Sequence, residues 1–228
     1  MHGGWSRLLS VVFFIYLGGW GVYAQTGAQS SSSSSTARAK SPASRESGAA
    51  ALEAGSVANG VFRNSVLGFS CKIPAGWVLR TEDMNAEESS NQEKPAPQGA
   101  QRNAGNERVL LAAFSRPPEA RGENINSSIL IAAESVAAYP GLKEAAQYFG
   151  PLTEVAKAQG FAVDEEPYEF ALGTRNVVRG DFHKDVGTRV MRQSTLVFLS
   201  HEYAVSITVI GGTEDEVEEL IDGVSLGK

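Results

Sequence analysis

The chain has 228 residues, 42% hydrophobic and 20% charged, with a formal net charge of −6. This acidic balance excludes the basic face that a nucleic-acid binder needs to neutralise phosphates, and it opposes docking on anionic lipid headgroups. A single cysteine, Cys71, excludes an internal disulfide and any zinc site built on paired cysteines.

The first elements in chain order are targeting signals. Arg7 supplies a short positive region, and residues 8–17 form an apolar run that Gly18, Gly19 and Gly21 interrupt. Val22 and Ala24 set small residues at the −3 and −1 positions for signal peptidase, so cleavage is expected between Ala24 and Gln25. An uncleaved anchor is the competing reading, but residues 8–24 are short of the ~20 apolar residues a membrane span needs. No cysteine follows the apolar run, which argues against lipid attachment there. Loss of Arg7 leaves the mature chain at −7. The leader therefore predicts a periplasmic or secreted protein, exported by a Sec-type signal and without a stable membrane span after cleavage. Residues 25–58, rich in Ser, Ala and Gly, offer almost nothing to a core and read as a flexible, disordered linker. The remaining segment, 59–228, is of a size for one domain with one core.

Within that domain, Phe69, Cys71 and Ile73 alternate along a short strand that Pro74, Ala75 and Gly76 stop as a turn. Residues 85–106 carry Asn, Gln, Glu, Pro and Gly without periodicity and read as a mobile loop. Residues 108–114 and 128–136 are nearly continuous apolar runs, the pattern of central strands covered on both faces. Residues 141–159 read as helical, with Pro151 opening a second helical turn and a packing stripe that includes Leu142, Phe149, Leu152 and Ala156. Tyr168, Phe170 and Leu172 alternate on a strand; 176–183 and 189–199 form two more, joined by a turn at 184–187. Tyr203, Val205, Ile207 and Val209 alternate on the next. Thr213 and Glu216 then form a capping box, and Val217, Leu220, Ile221 and Val224 fall at helical spacing. Short connections make the strands mostly antiparallel. The fold expected is α+β: a single, mostly antiparallel sheet with helices packed against it.

The motif Phe62-x-Asn64-x-x-Leu67-Gly68-Phe69-x-x-x-Ile73-Pro74-x-Gly76-Trp77 resembles the opening of PsbP-like domains and their exported bacterial relatives. The ending, with Tyr203, Ile207 and the capped helix from Thr213, is similar to that family's as well. The resemblance covers about residues 60–226 and implies an α/β/α sandwich with non-enzymatic assembly or accessory roles. It carries over no ligand residue.

The densest chemistry lies at Asp181, His183 and Asp185, which share one face at strand period and could hold a divalent metal. The competing reading is a solvated face beside a turn, with Arg179 and Lys184 compensating its charge. Cys71 sits on an apolar face and reads as a small buried hydrophobe rather than a nucleophile. Gly211 and Gly212 before a helix could seat an anion, but acids behind them oppose it. Trp77 reads as a cap over the sheet edge. No G-x-S-x-G elbow occurs. The expectation is a non-enzymatic binding or assembly module of the bacterial envelope. It would need no cofactor, and its partner would be an envelope protein or small ligand, not nucleic acid. The alternative is a metal-dependent hydrolase using Asp181, His183 and Asp185.

Overall fold

The computed structural model describes residues 52–93, 107–120, 122, 124–139 and 141–227. The leader, the Ala24–Gln25 junction, most of the linker and residues 94–106 lie outside the described residues.

The folded chain opens with a meander. Strands β1 (Ser56–Ala58) and β2 (Val61–Asn64) are joined by Asn59 and Gly60, both at positive φ, the backbone that a two-residue hairpin turn requires. Strand β1 thus begins inside the stretch expected to be linker. Strand β3 (Phe69–Lys72) follows, and then a two-residue strand, β4 (Val78–Leu79).

Helix α1 (Thr81–Glu93) comes next, so residues 85–93 are helical rather than looped. It carries no regular apolar stripe: Met84 packs on the sheet, while Thr81 and Asn85 bond the edge of a strand. That strand is β5 (Glu107–Phe114), which carries a bulge between Val109 and Leu111. The Thr81 hydroxyl accepts from the Ala112 amide at 3.0 Å. Asn85 accepts from the Val109 amide and donates to the Val109 carbonyl at 3.0 Å. Side chains therefore satisfy an edge that would otherwise stand open.

Strand β6 (Ser128–Ser135) pairs with β5. Residues 141–144 are not helical; a single 3-10 turn, Ala145–Tyr148, leads into helix α2 (Phe149–Ala158), with Pro151 in its first turn. Strands β7 (Ala162–Val163), β8 (Tyr168–Leu172), β9 (Arg175–Val186), β10 (Arg189–Ser200) and β11 (Tyr203–Gly211) complete the C-terminal meander. The β9–β10 turn is Gly187-Thr188, later than the expected 184–187 because β9 runs on to Val186. Helix α3 (Glu214–Asp222) ends at Gly223, so Val224 is not on it but in strand β12 (Val224–Leu226).

Among the described residues all strand pairs are antiparallel, in two sheets rather than the single one expected. The large sheet runs β4-β5-β6-β11-β10-β9, and β7 and β8 share the outer edge of β9. The small sheet runs β1-β2-β3-β12, closed by a pairing of Val224 with Cys71 and Leu226 with Phe69. Alternation along β3 states that one face is apolar, but not that the face meets a second sheet.

The large sheet is buried on both sides, as the runs in β5 and β6 predict. On one side Phe62, Phe69 and Cys71 of the small sheet and Val217, Leu220 and Ile221 of α3 pack against Ile131, Leu196 and Ile207. On the other, Phe149 and Leu152 of α2 pack with Phe182 and Val197, while Met84 of α1 rests on Val109, Ala112, Phe114 and Leu130.

Candidate functional site

Strand β9 carries Asp181, His183 and Asp185 on the face that also bears Val177 and Arg179 and turns toward α3. Face-sharing is thus as expected, but the three side chains meet different surroundings. The Asp181 side chain is 16% exposed and accepts from Arg179 Nε at 2.9 Å, from the Tyr168 hydroxyl at 2.8 Å and from the Ser194 hydroxyl. His183 Nδ1 is paired with Asp164. Asp185 is exposed near the hairpin end. Among the described residues, no group of three His, Cys, Asp or Glu side chains is arranged to hold a metal ion.

What β9 builds instead is a buried ionic cluster. Arg179 is only 8% exposed at its side chain. Besides Asp181, its guanidinium donates to Ser194 Oγ at 3.2 Å and to Glu218 of α3 at 3.1 and 2.5 Å, and it lies 5.1 Å from the Phe170 ring centroid. Burial by itself lowers the Arg179 pKa, but the hydrogen bonds to Glu218 and Asp181 outweigh it and raise it on balance. Burial first, and then the bond to Asp181, push the Tyr168 phenol up. The compensating role expected of Arg179 is present, whereas Tyr168, Ser194 and Glu218 come from other elements and leave no local sequence signal. The arrangement ties β8, β9, β10 and α3 together.

The remaining candidates are occupied by the fold. Cys71 is fully buried, and burial pushes its thiol up to about 12. It lies on the small sheet and His183 on the large one, so the two do not form a thiol–imidazole pair of the kind a nucleophilic cysteine uses. The Gly212 amide donates to Glu216 Oε2 at 2.8 Å, so the protein's own carboxylate fills the anion position ahead of α3. The cap is accordingly half of what was expected: Thr213 accepts from the Glu216 amide at 3.2 Å, but Glu216 reaches Gly212 and the Ser127 hydroxyl. Trp77 is partly buried against the core.

Two grooves remain. One, of about 290 Å³, separates β1 of the small sheet from β4, β5 and the start of α1 of the large one. It is lined by Val57 and Leu79, which are 44% and 46% exposed, with Arg80, Glu82, Asp83 and Arg108 around them. The other, of about 410 Å³, lies between the 3-10 turn, β8 and β9, and is lined by Lys143, Tyr168, Glu169 and Arg175. Among the described residues no helix is long and apolar enough to cross a membrane.

No family model matches the chain, and no curated protein matches it. Three solved structures show limited likeness. A protein from Bacteroides thetaiotaomicron has 12% identity over 70% of this chain, with a TM-score of 0.37. This chain spans 45% of that protein's length. LpqN of Mycobacterium tuberculosis, described as involved in cell envelope biogenesis, has 13% identity over 70% of this chain and 83% of its own, with a TM-score of 0.34. A protein of unknown function from Pseudomonas aeruginosa has 17% identity over 54% of this chain and 78% of its own, with a TM-score of 0.32. Likeness at this level carries no argument about function.

Proposed function

We propose that the chain is an exported binding or accessory module of the bacterial envelope, one that holds a partner or ligand and does not turn it over. The observation that carries this reading is the groove between the two sheets. There Val57 and Leu79, large aliphatic side chains left open to solvent, flank a concave strip beside β1, an edge strand among the described residues. Exposed apolar residues at a sheet edge, rimmed by charges of both signs, suit an extended peptide segment or a small amphipathic ligand. The leader and Ser-rich stretch support an envelope location. The PsbP-like resemblance of residues 60–226 points the same way and rests on sequence alone. The hydrolase alternative loses support because Asp181 already accepts from Arg179, Tyr168 and Ser194.

The test is affinity capture of the exported chain from envelope extract, run beside Leu79→Asp and Val57→Asp. A component held by the native chain and lost with both variants supports the reading. Capture indifferent to both variants overturns it. So does metal-stimulated hydrolysis abolished by Asp181→Asn.

A further inference from the structure

The turn that opens the small sheet carries a chemistry of its own. Asn59-Gly60 is the single Asn-Gly pair in the sequence. Both residues are exposed, and φ is 52° at Asn59 and 70° at Gly60, as the two-residue turn between β1 and β2 requires. Among the described residues neither the Asn59 side chain nor the Gly60 amide has a hydrogen-bond partner. A Cβ built on Gly60 would meet the Ile73 carbonyl oxygen at 3.6 Å and nothing nearer, so the Gly60 amide is open to approach.

Other asparagines are held or shielded. Asn64 is 1% exposed, donates to the Glu53 carbonyl at 2.8 Å and accepts from the Leu67 amide at 2.9 Å. Asn85 is bound at Val109, and Asn126 at Ser115 and Arg116. Asn124 and Asn176 precede Ile125 and Val177, whose branched Cβ crowds the amide that would have to react. The β1–β2 turn is also free to move. Strand β1 has three residues, all exposed, and among the described residues it pairs with β2 alone. Local opening of such an edge takes little free energy. Asn59 sits in the left-handed region, which a residue with a side chain leaves readily once the closing pair Ala58–Val61 parts.

We propose that Asn59-Gly60 is a site of spontaneous deamidation, and that the isoaspartyl product releases β1 from the small sheet. The Gly60 nitrogen gives up its proton to hydroxide and attacks the Asn59 side-chain carbonyl carbon. The new C–N bond closes a succinimide as the Cγ–NH2 bond breaks, and the leaving nitrogen takes a proton from water and departs as ammonia. Water then opens the ring at either carbonyl, giving aspartate or isoaspartate at position 59. Either product adds one negative charge. Aspartate keeps the main chain and tolerates the left-handed turn. Isoaspartate routes the main chain through Cβ, one atom longer, so a two-residue turn no longer closes Ala58 on Val61. Strand β1 lines the groove between the sheets, and its release removes one wall of that groove. Loss of binding there rests on the proposed function; the deamidation does not.

The experiment incubates the purified mature chain, native and denaturant-unfolded, at mildly alkaline pH. Peptide mapping by mass spectrometry follows position 59, with electron-transfer fragmentation to tell isoaspartate from aspartate. Both products are expected, at a native rate within about tenfold of the unfolded one, because opening β1 takes little free energy. Hydrogen exchange at Ala58 and Val61 should quicken by at least about tenfold in the isolated isoaspartyl chain. Asn59→Asp, which carries the charge without the longer main chain, should exchange there as the native chain does. A native rate more than about tenfold below the unfolded one overturns the proposal. So does aspartate without isoaspartate, or an isoaspartyl chain that exchanges at Ala58 and Val61 as the native chain does. Equal quickening in Asn59→Asp would assign the release to charge and overturn the role of the longer main chain. Partner capture is a separate readout: its failure with the native chain sinks the groove and leaves the deamidation standing.

Discussion

Asp181→Asn is the perturbation that best separates a structural cluster from a catalytic one. The substitution keeps the shape and one acceptor oxygen but removes the charge that faces Arg179. Arg179 keeps Glu218, yet the Glu218 side chain is 43% exposed and compensates it less completely. Breaking a buried ion pair from one side costs about 3–5 kcal/mol. The retained amide oxygen and the surviving Glu218 bond reduce that figure, so about 2–4 kcal/mol is expected. For a domain of this size the loss corresponds to a fall in Tm of about 4–16 °C. Urea unfolding followed by circular dichroism measures it directly. The double variant Arg179→Met, Asp181→Leu is the informative partner, since removing both charges spares the buried uncompensated one. It should be closer to the native stability than Asp181→Asn is. A cost below about 0.5 kcal/mol for Asp181→Asn would refute the clamp, placing it among ordinary surface substitutions.

Three further outcomes follow from particular contacts. Asn85→Ala removes both hydrogen bonds to Val109 at the bulge in β5, so stability should fall by about 1–3 kcal/mol, and the Val109 amide should exchange faster in hydrogen-exchange measurements. Gly180→Ala would set a methyl group 2.5 Å from Phe149 Cε1, so thermal unfolding should show a loss of about 1–3 kcal/mol, partly recovered when Phe149→Leu is added. Cys71 should resist alkylation in the native chain at pH 8 and react once urea unfolds it, because burial holds the thiol up to about 12. Its folded pKa lies above the unfolded value of 9.0, so its contribution to stability is complete below that pH and declines as pH rises toward 12. In Cys71→Ala the alkaline loss of stability measured by urea titration should be shallower.

Periodicity made β5, β6, β11 and α3 legible, because each buries an unbroken or regularly spaced apolar set. It failed at α1, whose 13 residues carry no stripe. That helix exists to satisfy backbone groups of β5 through Thr81 and Asn85, a role visible only once β5 lies beside it. The spacing of Asp181, His183 and Asp185 correctly put three side chains on one face. It could not show that Arg179, Tyr168 and Ser194 converge on the first or that Asp164 takes the second.

By itself, then, the chain's sequence determined the acidic character, the single buried-type cysteine, the antiparallel strand pairs joined by short turns and the capped last helix. These are properties of neighbours along the chain, where turn chemistry and side-chain period act directly. Only the tertiary structure decided that β12 returns to β3, making two sheets of an expected one. Only it decided that Arg179 of β9 meets Glu218 of α3. Pairing between distant segments depends on which apolar faces exclude water together, and no local pattern records that choice.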